Sequence, residues 1–173
     1  YIWRGMSQTG EDFAYSGGVD VSLENGSYVG VWGSNVDFGP DDNTSYEIDA
    51  YFGYTDETAR GVSFDTGYIS YNYPGGEDLD FEEIYVGVGY KWVGLNHSFG
   101  IDKAPDNTEW SVSLGDSGFG VVYGDYDDYG KYTLVSYNFT QTVFGFSIGI
   151  ALSDFDSEVD GGDEDGFVIT FSM

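Results

Sequence analysis

Polar and apolar residues alternate with a period of two along most of this chain, and the alternation stops at intervals on turn residues. In 45–57, Tyr46, Ile48, Ala50, Phe52 and Tyr54 stand opposite Glu47, Asp49, Tyr51 and Gly53. In 82–92, Ile84, Val86, Val88, Tyr90 and Trp92 oppose Glu83, Tyr85, Gly87, Gly89 and Lys91. Phe13, Tyr15, Val19, Val21 and Leu23 share one face of 12–24, and Phe144, Phe146, Ile148, Ile150 and Leu152 share one face of 142–153. The pattern predicts about twelve strands. They lie near 1–8, 12–24, 27–38, 45–57, 60–74, 82–92, 94–101, 108–116, 118–125, 131–139, 142–153 and 165–173. Without the weakly patterned pair 94–101 and 108–116, about ten would remain. Segment 27–38 does not sort: Val29 and Val31 are in phase with Asn35 and Asp37, Tyr28 and Trp32 with Gly30 and Ser34, as a mid-strand bulge would produce.

Connections alternate between short, as at Asn25-Gly26 and Thr140-Gln141, and longer acidic stretches at 7–12, 39–44, 75–81, 102–107, 125–130 and 153–165. That rhythm predicts an all-β fold: a closed antiparallel up-and-down transmembrane β-barrel in one domain, 1–173, with short periplasmic turns and long acidic outer loops. A soluble sandwich or barrel would bury the apolar face, and a membrane barrel would turn it to lipid. Tyr54, Tyr73, Trp92 and Phe38 near strand ends suit interfacial girdles and favour the membrane.

Composition narrows the reading. The 173 residues include 27 Gly and no Cys, which leaves neither a disulfide framework nor a thiolate metal site. A net charge of −26 excludes nucleic acid as a partner and favours cations. No run of apolar residues is long enough for a membrane helix, and no secretory signal is visible, so an exported protein would have lost one.

Strand phase makes Arg4, Asp20, Glu47, Asp49, Asp65, Glu83 and Lys91 the candidate pore-lining residues. The few bases among them favour cation passage, unless the charges pair into a network that plugs a narrow barrel. Asp154, Asp156, Glu158 and Asp160, with Asp125 and Asp127, offer carboxylates at the spacing of a calcium site, though not of an EF-hand. A solvated acidic loop is the simpler account of them. Beyond calcium no cofactor is expected. Catalysis is not expected either, since the single His97 has no nucleophile motif to serve.

Tyr1-Ile2-Trp3-Arg4-Gly5-Met6-Ser7-Gln8-Thr9, then Tyr28 to Phe38 and Glu47 to Tyr54, and finally Tyr73-Pro74-Gly75-Gly76 with Glu83-Ile84-Tyr85, carry a resemblance. They resemble the TorF family of proteobacterial porins, formerly of unknown function. The resemblance is specific over the first half of the chain and general afterwards. It implies an exported protein of the cell outer membrane with porin activity and no catalytic residues. Two departures stand out: the segment that usually precedes the Tyr1 block is missing, and the chain closes on Met173 rather than an aromatic residue. The expected function is therefore a narrow, cation-preferring outer-membrane channel for small cationic or neutral solutes. Its partners are outer-membrane lipid and other copies of itself. The alternative is a non-conducting acidic surface β-protein that binds calcium or self-assembles through its loops or edge strands.

Overall fold

The computed structural model describes residues 1–40, 42–76, 78–102 and 104–173; Asp41 and Glu77 of the expected acidic connections, and Lys103, lie outside the described residues. A short hairpin of β1 (Ile2–Trp3) and β2 (Met6–Ser7) opens the chain. Eleven strands follow: β3 (Ser16–Ser22), β4 (Ser27–Asn35), β5 (Tyr46–Glu57), β6 (Val62–Asn72), β7 (Phe81–Tyr90), β8 (Val93–Gly100), β9 (Asn107–Ser113), β10 (Phe119–Tyr126), β11 (Gly130–Asn138), β12 (Ser147–Ser157) and β13 (Glu164–Ser172). Each pairs antiparallel with its neighbours in sequence, giving one 11-stranded sheet in the order β13 to β3. The up-and-down meander is the expected one.

The sheet rolls around the opening hairpin but does not close. Within the sheet β3 pairs only with β4, and β13 only with β12. The two edges face one another across a cavity of about 740 Å³, lined on one side by Phe13 to Ser16 and on the other by Glu164 to Phe171. Because nine strands, each antiparallel to the next, separate the edges, β3 and β13 run in the same direction. They cannot complete an antiparallel ladder with each other.

The rolled sheet is apolar outside and polar inside. Val29, Val31, Ile84, Val86, Val88, Phe167, Ile169 and Phe171 are exposed on the convex side. Glu47 and Glu83, by contrast, are 2% and 1% exposed on the concave side. The buried apolar residues form two small clusters, Val36 with Tyr71 and Tyr73, and Tyr126 with Tyr132 and Phe155, and Trp3 packs against both. The core therefore surrounds the hairpin, inside the curl.

Four expectations need correction. Segment 1–8 is not a wall strand: Arg4 and Gly5, at φ of 47° and 86°, turn the chain back after Trp3 into the concave space. Strand β4 has no bulge; it pairs continuously with both β3 and β5, and Tyr28 and Trp32 point inward, where Trp32 meets Tyr1 edge-on at 5.4 Å. The connection from β11 to β12 spans 139–146 rather than Thr140-Gln141 alone, because Phe144 and Gly145 form their own turn at positive φ. The contrast of short and long connections also fades, since 127–129 is short and 139–146 is not.

Candidate functional site

Everything that distinguishes the concave side is built from strand register. Gly30 faces Tyr51, Gly53 faces Tyr28, Gly67 faces Tyr85 and Gly124 faces Tyr132, each as direct cross-strand partners. A methyl group on any of these glycines would strike the facing ring. Each tyrosine therefore lies across the glycine rather than standing off the sheet, an arrangement in which the ring covers backbone that glycine leaves bare. Its hydroxyl then reaches beyond the glycine to a more distant strand. Tyr51 donates to Asp20 at 2.5 Å and Tyr132 to Glu109 at 2.9 Å. Tyr28 and Tyr85 approach from β4 and β7 over the paired Gly53 and Gly67; their hydroxyls meet, and Tyr28 also donates to Asp65 at 2.7 Å.

The next row holds charge. Asp65, Gly87, Asn96 and Glu109 are successive register partners on β6, β7, β8 and β9. Asp65, Asn96 and Glu109, together with the tyrosines, line a chamber of about 670 Å³, whose roof is Ile2, Trp3, Arg4 and Gly5 of the hairpin. Toward the short-turn end it runs into a glycine- and serine-lined space of about 400 Å³ with Ser63, Gly89, Gly94 and Ser111. On the other side of Trp3 a vestibule of about 1020 Å³ lies among the long connections, with Phe38, Tyr73, Asp78 and Asp80 in its wall. The hairpin is thus a partition between vestibule and chamber.

Arg4 fixes that partition. Its two terminal nitrogens donate to the two oxygens of Glu83, each at 2.7 Å, and its guanidinium lies 4.2 Å from the Trp3 ring centre and 4.6 Å from that of Tyr126. Burial alone would lower the Arg4 pKa, but the hydrogen bonds and charge of Glu83 outweigh it and raise the value, so the side chain stays charged. The Tyr1 hydroxyl donates to Glu47, which also accepts from Tyr73 at 2.9 Å. Burial, then this contact, raises the Tyr1 phenol above its ordinary range and keeps it a donor. Ser7 and Gln8 complete the docking through the Glu164 carboxylate and the Asp37 amide.

Of the residues expected to line a pore, Arg4, Asp65 and Glu83 meet in the chamber wall. Glu47 and Asp49 are buried beside the hairpin, and Asp20 sits at the open edge under Tyr51. Lys91 does not join them: β7 ends at Tyr90, and Lys91 occupies the exposed turn at φ 57° with its amine 5.1 Å from the Tyr90 ring centre. Arg4 reaches the interior through the hairpin rather than through a wall strand. Tyr73 is likewise buried inside instead of joining a girdle, with the exposed Phe38 packed against it at 5.8 Å, while Tyr54 and Trp92 are exposed.

The candidate calcium residues are dispersed. Asp154 and Asp156 are exposed strand residues of β12, Glu158 and Asp160 lie in the 158–163 connection, and Asp125 is 3.9 Å from Lys131. Asp127 is exposed in the turn that follows β10. Among the described residues no three acidic or histidine side chains converge on a point that could hold a metal ion. His97 shares a hydrogen bond of 2.8 Å with the Thr108 hydroxyl and packs against Phe99.

A model of a bacterial protein family of unknown function, Gcw_chp, matches residues 1–158. The chain belongs to that family. The Gcw_chp match takes in the hairpin, the wall from β3 to β12 and all four tyrosine–glycine pairs, and it ends before β13. No curated protein and no solved structure matches the chain.

Proposed function

We propose that this protein is a narrow, cation-preferring channel of a bacterial outer membrane, formed when one further strand seated between β13 and β3 closes a twelve-stranded barrel. The observation that carries the reading is the reversal of polarity. The convex side is a broad band of exposed Val, Ile, Phe, Tyr and Trp, while Glu47, Asp49 and Glu83 are buried on the concave side. Water penalises an exposed apolar surface of this extent, whereas lipid does not. A strand antiparallel to both edges satisfies the parity that β3 and β13 lack. The channel runs from the acidic connections of the vestibule, past the hairpin as its constriction, into the tyrosine chamber. Arg4 is neutralised by Glu83, so Asp65 and Glu109 leave the chamber negative. The similarity to TorF porins at Tyr1 to Thr9 agrees with this reading.

Planar bilayer recordings of purified, folded protein across a salt gradient, with and without calcium, test it. Discrete steps with a cation-selective reversal potential are expected. Absence of steps from inserted protein would sink the channel. The unpaired edges also favour a second reading, a surface β-protein that assembles edge to edge. Light scattering from detergent-solubilised protein separates the two: the channel reading expects a defined particle, and edge-to-edge assembly an open-ended size distribution.

A further inference from the structure

The protein already holds one organic cation inside its curl. The Arg4 guanidinium is gripped by the two oxygens of Glu83 and flanked by the rings of Trp3 and Tyr126. The same two ingredients recur deeper in the chamber without a cation of the chain to satisfy them. Asp65 receives Tyr28 on one oxygen and Glu109 receives Tyr132 on one oxygen. Among the described residues the second oxygen of each accepts no hydrogen bond, and Arg4 is the only basic side chain in the chamber lining. The Tyr28 and Tyr85 rings lie across Gly53 and Gly67 and line the same cavity beside Asp65. Ser98, 4% exposed, lines the same space with no side-chain hydrogen bond among the described residues. Carboxylate oxygens with open lone pairs beside aromatic faces in a half-desolvated cavity select planar organic cations over hydrated inorganic ones.

We propose that this chamber binds small organic cations with a guanidinium or amine head, and that these are the solute class of the channel. The site rests on the channel reading and deepens it. Its recognition follows the Arg4 contact: the cation head pairs with the free oxygen of Asp65, its flat face or methylene stem lies against Tyr85 and Tyr28, and Glu109 adds its negative field from across the chamber.

Isothermal titration of the full chain in detergent micelles with methylguanidinium tests this apart from conduction. Neutral methylurea of similar shape and sodium at equal ionic strength serve as comparisons. Saturable binding of methylguanidinium alone is expected. The joint D65N and E109Q variant should weaken it about tenfold or more, as should Tyr85→Leu, while Tyr85→Phe, which keeps the ring face, should retain it within about twofold. Circular dichroism establishes that each variant is folded, and Tyr85→Phe guards against reading a folding defect as a binding one. Equal binding of methylurea, or undiminished binding by the carboxylate variant, would overturn the proposal. Binding without ionic conductance would keep the site and remove the channel; conductance without binding would remove the site and leave the channel standing.

Discussion

At the scale of single residues, the pair of Arg4 and Glu83 is where one atom's loss is felt most. Both side chains are withdrawn from water, at 7% and 1% exposure, so removing one partner strands a buried charge. Glu83→Gln or Arg4→Met should each cost on the order of 3–5 kcal/mol, read from urea unfolding in micelles, while the double variant should recover most of that. Additive losses would show that the pair does not act as a unit. Glycines make a second residue-scale prediction. Gly124→Ala pushes a methyl into the Tyr132 ring and should cost about 1–3 kcal/mol in the same assay. Gly17→Ala, with nothing within 4 Å of the added carbon, should be neutral or slightly stabilising. Glu47, Asp49, Asp65 and Glu83 were legible as interior residues because strand phase alone sorts faces. The tyrosine set was not: Tyr85 stands beside Glu83 in phase, but which glycine it covers depends on pairing with another strand, and phase carries no register.

At the scale of elements, the opening hairpin shows how a correct pattern yields a wrong placement. Ile2 to Ser7 reads as a strand because apolar residues recur, yet Arg4-Gly5 supplies the left-handed pair that a two-residue hairpin requires. The amphipathic alternation of most wall strands left no such ambiguity, with 27–38, 94–101 and 108–116 the weaker cases, and their positions follow the sequence closely from β3 to β11. Gly5 is held where an added carbon would meet Tyr132 and Phe155, in a backbone region that side chains strain to adopt. Gly5→Val should therefore unseat the hairpin while the sheet persists. Limited proteolysis should then cut within 1–12, and single-channel conductance should rise. A variant with unchanged cleavage and conductance would mean that the hairpin does not partition the chamber.

At the scale of the molecule, charge is segregated by end. The connections at 36–45, 73–80, 101–106, 127–129 and 158–163 share one end of the sheet and carry Asp37, Asp42, Asp80, Asp106, Asp127, Asp128 and Asp160 among others; the other end sets Arg60 and Lys91 against fewer acids, Glu24, Glu57 and Asp116. Replacing Asp127, Asp128 and Asp160 by Asn should lower cation selectivity at low salt. The difference should vanish near 1 M, where screening confines the field of each charge to about 3 Å. Selectivity that is unmoved at low salt would place the filter in the chamber instead. The overall meander was readable because each strand pairs with its sequence neighbour, whereas the open edge was not, since closure depends on strand count and parity rather than on any local pattern. The tyrosine–glycine pairs have a consequence for how such a sheet finds its alignment. If β5 slid by two residues along β4, every side chain would keep its face, yet Tyr28 would meet Tyr51 or Trp32 would meet Tyr51. Two large rings would then compete for one place, and a glycine would lose its cover. Alternating bulk and absence thus works as a ratchet tooth against misalignment, in a chain whose hydrophobic pattern alone would accept the slipped pairing.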